Sequence, residues 1–492
     1  MKVFVDNHKF HYETENLTRV FFPNEKLEVL KQTCDISGSD EPFVDTRREI
    51  SDGAIALSCR LSIGAYHSGK KKILPPDTPD DEQERMLAIE LYNLLSEYTG
   101  ITPPWGILTG VRPIKLFRRL RESGGEQYAK SYFKDKLLVS QPKIDLSVIT
   151  ERNERKILET SSPNSFSLYV SIPFCPSRCS YCSFVSQSVE KSFKLIEPYV
   201  ELLCDEIAET GRIAAELSLR LESVYIGGGT PTTLNAGQLE AVMSAINNSF
   251  DMSTCREFTV EAGRPDTVTD DKLSAIKRCG GDRISINPQT LNDNILEKIG
   301  RRHTAGDFLR AYDMAVKAGF DHINTDLIAG LPGESFESFK ATLDTIADLE
   351  PKSVTVHTLS MKRSSQLTLE GMETLRRDIK AAENMHLYCS ELLPKCGYEP
   401  YYLYRQSRMV GNLENVGWSK KGSEGLYNVF IMDETHTVLG CGAGATTKLK
   451  QPDGSYIERI FNYKYSYEYL NGFDEIIRRK GRFKSFYEEY GL

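Results

Sequence analysis

The run Leu168-Tyr169-Val170-Ser171-Ile172-Pro173-Phe174-Cys175-Pro176-Ser177-Arg178-Cys179-Ser180-Tyr181-Cys182-Ser183-Phe184 holds three of the chain's eleven cysteines within eight residues. β-Branched and aromatic residues at 169–172 predict a strand, and the Pro- and Ser-rich stretch after it predicts a loop. A C-x3-C-x2-C loop brings three soft thiolates around one face of an iron–sulfur cubane and leaves the fourth iron without a protein ligand. Two blander readings compete with this one. Structural zinc closes its tetrahedron with a fourth Cys or His, often from a second C-x2-C or H-x3-H pair, and no such pair is obvious here. Inert thiols packed in a core are the other, and a Pro- and Ser-rich loop fits that poorly.

Downstream, residues 223–226 read as a buried strand that runs into Gly227-Gly228-Gly229-Thr230-Pro231-Thr232. Missing side chains there let backbone approach a ligand, although a tight strand-to-helix connection alone would also account for the glycines. Further strand-like runs follow at 257–261, 283–287, 322–328 and 353–358, with amphipathic stretches at 270–278, 307–318 and 337–349. Strands alternating with helices imply right-handed βαβ units and a parallel sheet. Glu261, Gln289, Arg301 and Asp326 then fall at one rim, where such folds place their chemistry. Each has an ordinary alternative: helix caps or water-facing carboxylates for Glu261 and Asp326, a solvated charge for Arg301, a turn for Gln289.

The order and spacing of these motifs resemble the oxygen-independent coproporphyrinogen III oxidase family of the radical SAM superfamily, over roughly residues 165 to 450. That resemblance implies a partial (β/α)6 TIM-like barrel, a [4Fe–4S] cluster held by Cys175, Cys179 and Cys182, and S-adenosylmethionine (SAM) on the open iron. By the same resemblance Tyr169, Gly228, Gly229, Thr230, Glu261, Gln289, Arg301 and Asp326 contact SAM, Tyr169 and Arg301 being the candidate catalytic residues. One or two SAM molecules are implied, Tyr181 falling where an aromatic residue meets the second. The implied substrate is a tetrapyrrole, reduced equivalents coming from a flavodoxin- or ferredoxin-type donor. The reaction would be loss of carbon dioxide from a propionate side chain after hydrogen abstraction. Two departures bear on the substrate: family members that decarboxylate carry a cysteine where this chain has Phe184 and a histidine where it has Ser171. Phe184 is shared with haem-chaperone-like relatives. Rival readings are a haem-binding or haem-delivery protein with a retained cluster, and a haem-modifying enzyme that methylates or opens the ring.

With 492 residues, 40% hydrophobic and 26% charged, the chain is long enough for two or three domains. A net charge of -8 argues against bulk binding of nucleic acid or anionic membrane. No stretch has the length of a membrane span, and Met1 to His8 lacks the apolar core of a signal peptide. A cytoplasmic, oxygen-poor setting and a monomer are expected, the eight scattered cysteines outside the loop being reduced thiols.

Three domains are expected: an α+β accessory unit over 1–160, the core over 161–390, and a small substrate-covering region over 391–492. Within the first, Pro75-Pro76-Asp77 marks a boundary before a helix over 81–97 whose apolar face includes Met86, Ile89, Leu91, Leu94 and Leu95. Trp105 to Arg119 contains Thr109-Gly110-Val111-Arg112-Pro113 and opens a basic helix that offers Arg112 and Lys115 either to water or to an anion. Residues 145–159 read as a linker helix. The Thr-Gly-Val-Arg-Pro run and the long N-terminal unit resemble the HemZ-type, coproporphyrinogen dehydrogenase branch. Tyr398 to Gln406, Gly411 to Asn415 and Gly440 to Ala445 resemble the family's C-terminal region, and residues 474–489 read as a docked surface helix. Four propionates need cations. Arg301, Arg302, His303, Lys362, Arg363 and Arg405 are the candidates.

Overall fold

A computed structural model describes all residues except 24, 34–40, 52, 361–371, 407 and 492, with the side chains of 372–377 also left out. The candidates Lys362 and Arg363 lie outside the described residues. The chain divides into two compact units: Met1–Glu151 with Thr368–Glu383 and Tyr404–Glu414, and Arg152–Leu367 with Asn384–Leu403 and Asn415–Leu492.

The first unit begins with β1 (Lys2–Asp6), α1 (His11–Phe21), β2 (Glu28–Leu30), β3 (Phe43–Ser51), β4 (Ala54–Ile63) and β5 (Tyr66–Leu74). Their sheet has the order β2-β1-β3-β4-β5, with β1 parallel to its neighbours and β3-β4-β5 antiparallel. Helix α2 (Asp80–Thr99) lays its apolar side on this sheet, Leu87 joining Phe10, Ile55, Leu57 and Leu74 in one core. Pro75-Pro76-Asp77 therefore turns the chain within one unit, because Leu74 before it and Leu87 after it bury each other's surface. Helices α3 (Pro113–Ser131) and α4 (Gln141–Leu158) follow, α3 opening with Pro113 where a missing N–H costs nothing.

In the second unit, β6 (Ser165–Ile172) ends at the cysteine loop, which contains β7 (Phe174–Cys175) and returns through β8 (Gln187–Ser188) into α5 (Val189–Glu216). Then come β9 (Arg220–Gly228), α6 (Ala236–Ser249), β10 (Glu257–Glu261), α7 (Asp270–Arg278), β11 (Arg283–Ser285), α8 (Asp293–Lys298) and α9 (Ala305–Lys317). The series continues with β12 (His322–Ala329), α10 (Phe336–Leu349), β13 (Ser353–Thr358) and α11 (Met372–Lys395), of which the part from Asn384 on belongs to this unit. β6, β9, β10, β11, β12 and β13 pair in that order, all parallel, giving the parallel sheet expected from the alternation and the six-stranded partial barrel implied by the resemblance.

Residues after 390 extend this same sheet at both ends. β14 (Tyr398–Tyr404) and β15 (Asn415–Lys420) continue it beyond β13, with β15 antiparallel to β13. After α12 (Leu426–Asp433), β16 (Thr437–Cys441) pairs parallel with β6, and β17 (Thr446–Lys450) and β18 (Ile457–Phe461) follow antiparallel. Helices α13 (Ser466–Asn471) and α14 (Phe473–Tyr490) close the chain.

The barrel strands alternate where parallel strands usually read as continuous apolar runs. Val170, Ile226, Val260, Ile284 and Ile323 form one register row, all buried. The opposite face carries Tyr169, Tyr225 and Thr259 in one row and Glu261, Ser285, Asn324 and Ser353 in another, with Asp326 beside Thr355. Side chains of one face pack on helices, so the polar face must line the barrel's interior. Tyr169, Tyr225, Glu261, Asn324, Asp326 and His357 are each only partly buried. The interior is therefore polar and accessible at the rim.

Candidate active site at the strand ends

The cysteine loop is held from three sides. Gln187 N donates to Pro173 O at 2.8 Å and pairs β8 with β7. Ser180 N donates to Ile299 O at 3.0 Å, and Ser177 Oγ to Gly300 O at 3.0 Å. The glycine run supplies the third side, Gly229 N donating to Ile172 O at 2.8 Å and Thr230 N to Phe174 O at 2.7 Å. Glycine is required at 229, since a Cβ there would stand 2.6 Å from Phe174 O and 3.0 Å from Cys175 Sγ. Gly228, at φ +108°, turns the chain through a conformation side chains resist.

Thr230 Oγ1 donates to Cys175 Sγ at 3.5 Å and Arg264 Nη1 to Cys179 Sγ at 3.8 Å. Burial raises the Cys182 thiol to about 11, with Cys179 and Cys175 adding to the rise, and burial also raises Cys175 against the hydroxyls of Ser186 and Thr230. Such thiols stay protonated until a metal displaces the proton. Among the described residues no three of His, Cys, Asp and Glu enclose a single ion. A cubane distributes three thiolates over three irons, so neighbouring sulfurs that receive N–H and O–H donors suit a cluster's negative charge.

Beside the loop, Tyr225 and Tyr427 stack at 4.5 Å between centroids, with Tyr169 stacked 6.3 and 6.1 Å from them. Tyr225 Oη donates to Glu261 Oε1 at 2.5 Å. Desolvation inside the barrel raises the Glu261 carboxyl to about 7, Asp326 adding to the rise while Tyr225 and His357 oppose it. Asp326 behaves differently. Its burial acts upwards, but His357, Asn324 and Thr355 outweigh that and hold it below its ordinary value. Asn324 Nδ2 donates to Asp326 Oδ1 at 2.8 Å, and His357 Nε2 lies 3.7 Å from Oδ2. Two carboxyls thus share one rim with opposite protonation tendencies.

Gln289 adopts φ +68°, strained for a residue with a side chain. Its backbone is fixed by N–H to Asp326 O and by Ile328 N donating to its carbonyl, each at 3.0 Å. Oε1 is buried and unpartnered within the protein. An orphaned acceptor on a strained, doubly pinned residue at the rim is suited to a ligand donor.

Arg301 is buried, its guanidinium donating to Asn287 O at 2.7 Å, Gly263 O at 3.1 Å and Tyr181 Oη at 3.2 Å. Burial raises the Tyr181 phenol. The remaining expected cations scatter. Arg302 is solvent-facing and pairs with Glu190 at 2.8 Å, and burial beside Arg301 lowers His303 to about 4, leaving a neutral ring. Arg405 does not stand at a pocket mouth as expected: it is buried in the first unit, its fork taken by the carbonyls of Leu108 and Gly110 and by Asn412. Backbone carbonyls also accept from a guanidinium, and the sequence does not show which acceptor an arginine will meet. Tyr225, Tyr427, Asn324, His357 and Arg264 were not among the sequence candidates. Only Tyr225 carried a signal, its place two residues before Gly227.

The radical SAM superfamily model matches residues 169–346. The oxygen-independent coproporphyrinogen-III oxidase-like protein HemZ of Bacillus subtilis is 33% identical over 97% of this chain and 96% of that protein. The heme chaperone HemW of Lactococcus lactis is 33% identical over 58% of this chain and 69% of its own length. Among solved structures, coproporphyrinogen III oxidase HemN of Escherichia coli, a radical SAM enzyme, aligns with TM-score 0.51 and 21% identity over 65% of this chain and 72% of that one, a likeness of fold. Membership of this superfamily implies a [4Fe–4S] cluster and SAM. The loop, the polar barrel interior and the full-length likeness to HemZ together assign the chain to the HemZ family of radical SAM proteins.

Proposed function

We propose that the protein is a radical SAM enzyme that oxidatively decarboxylates coproporphyrinogen III to protoporphyrinogen IX. The observation that carries this reading is the rim where Glu261, Asp326 and the unpartnered Gln289 Oε1 stand on the same parallel sheet whose strand β6 runs into the cysteine loop. Cys175, Cys179 and Cys182 would hold the cluster, which with SAM supplies a 5'-deoxyadenosyl radical. Gly228 and Gly229 bring backbone within reach of the methionyl end, and Glu261, Asp326 and Gln289 offer acceptors to the amino and hydroxyl groups of SAM. Tyr169 and Arg301 would flank this site, Arg301 donating to Tyr181 of the loop. A low-potential flavodoxin- or ferredoxin-type carrier is the proposed donor.

One observation favours a second reading, haem binding or delivery. Phe184, where decarboxylating members of the family carry cysteine, is 66% exposed and offers a ring to a macrocycle. Ser171, where those members carry histidine, is by contrast turned inward, its hydroxyl donating to Ala443 O at 2.8 Å. Mass spectrometry separates the readings: anaerobically reconstituted protein is incubated with SAM, dithionite and coproporphyrinogen III. Products lighter by one or two losses of carbon dioxide and hydrogen support decarboxylation. Unchanged substrate with tight haem binding supports delivery, and a modified tetrapyrrole from haem itself overturns both.

A further inference from the structure

Arg264 follows β10 in Glu261-Ala262-Gly263-Arg264-Pro265-Asp266 and is 3% exposed. Asp266 grips it with both oxygens, at 3.1 Å to Nε and 3.1 Å to Nη2. Thr267 N and Oγ1 donate to the Arg264 carbonyl at 2.9 and 2.7 Å, and Pro265 restricts the backbone between them. The remaining nitrogen, Nη1, points into the cysteine loop, donating to Ser177 O at 3.3 Å, Ser177 Oγ at 3.1 Å and Cys179 Sγ at 3.8 Å. The fork is thus an oriented ion pair with its positive end on a sulfur.

The loop does not need Arg264 for its shape, because Ser180 N and Ser177 Oγ already tie it to Ile299 and Gly300. An N–H···S bond from a permanent, desolvated cation acts instead on charge. Reduction of the cluster takes one electron from an external low-potential carrier, makes or breaks no bond, and adds one negative charge to the site. A cation at one ligand sulfur stabilises that added charge more than the oxidised form, and hydrogen bonds to cluster sulfurs are a recognised control of potential. From this geometry we infer that Arg264 raises the reduction potential of the cluster through Cys179 and so sets how weak a donor can deliver the electron. The inference rests on the cluster of the proposed function.

The test is a mediated dithionite titration of the reconstituted full-length protein, followed by EPR, in wild type and Arg264→Gln. The expected result is at least a tenfold loss in the equilibrium constant for reduction, a fall of 59 mV or more for a one-electron couple, at unchanged iron per chain. An unchanged midpoint with full iron content overturns the inference while leaving the cluster intact. A wild type that holds no iron fails the cluster reading itself, and the inference with it. If Arg264→Gln takes up no iron, Asp266→Asn decides. Removing the carboxylate charge behind Arg264 is expected to raise the midpoint, and an equal or lower midpoint overturns the inference.

Discussion

Glu261 keeps its proton to about pH 7 in the folded protein against an ordinary value of 4.5. A carboxyl raised on folding contributes stability that is complete below pH 4.5 and is lost as pH climbs through 7. The loss is on the order of 3 kcal/mol for a shift of this size. Glu334, raised by burial to about 7, adds a second loss of the same sign. Glu261→Gln is expected to match wild type at pH 4.5 and exceed it at pH 8 in urea unfolding of the cluster-free protein. Equal pH slopes for the two would show that Glu261 ionises normally. At Gly229 a methyl group meets the Phe174 carbonyl and the Cys175 sulfur. Gly229→Ala is expected to cost about 1–3 kcal/mol of overpacking and to lower iron per chain after anaerobic reconstitution, whereas wild-type iron content would show that the loop yields.

At the scale of elements, the strand that emits the cysteine loop is braced by helices far along the chain. Glu206 on α5 and Lys480 on α14 form a buried pair at 2.9 Å. Glu206 also accepts from Gly442 N at 2.7 Å, Tyr469 Oη at 2.7 Å and Asn462 Nδ2 at 2.8 Å. Tyr199 Oη takes up the next link, accepting from Ala443 N and donating to Ser171 O. The C-terminal helix is thereby connected to Ser171 near the end of β6. Lys480→Met leaves a buried carboxylate without its cation and is expected to cost about 3–5 kcal/mol in chemical denaturation. A loss below about 1 kcal/mol would mean that the three remaining donors suffice. This brace was not legible from sequence, which marked 474–489 only as a docked helix. Charge and aromatic content gave away its surface, whereas Lys480 looks like any other lysine until Glu206 is brought beneath it.

For the whole molecule, the cysteine loop, the glycine run and the βα alternation were legible because each is local: ligands, turn and period lie within a few residues of one another. The parallel sheet followed from that alternation, and its six-stranded partial-barrel form from the family resemblance. What local pattern does not carry is the partner of a strand or ring distant in sequence. Tyr427 reaches the stack with Tyr169 and Tyr225 only because α12 begins beside Glu257, whose carboxylate accepts from Leu426 N and Tyr427 N at 2.7 and 3.1 Å. Arg264 reaches Cys179 across 85 residues. Residues after 390 read as a separate cover, yet they supply strands to both margins of the core sheet.

Those margins matter because the parallel sheet is never closed on itself: β13 and β6 each bond outward, to β15 and β16, instead of to each other. A closed ring of strands has its bore fixed by strand number and stagger, whereas an open arc can flex its aperture while every ladder stays intact. The span of the rim is then set by what bonds at its two margins, β15 and β16, and not by a fixed number of strands.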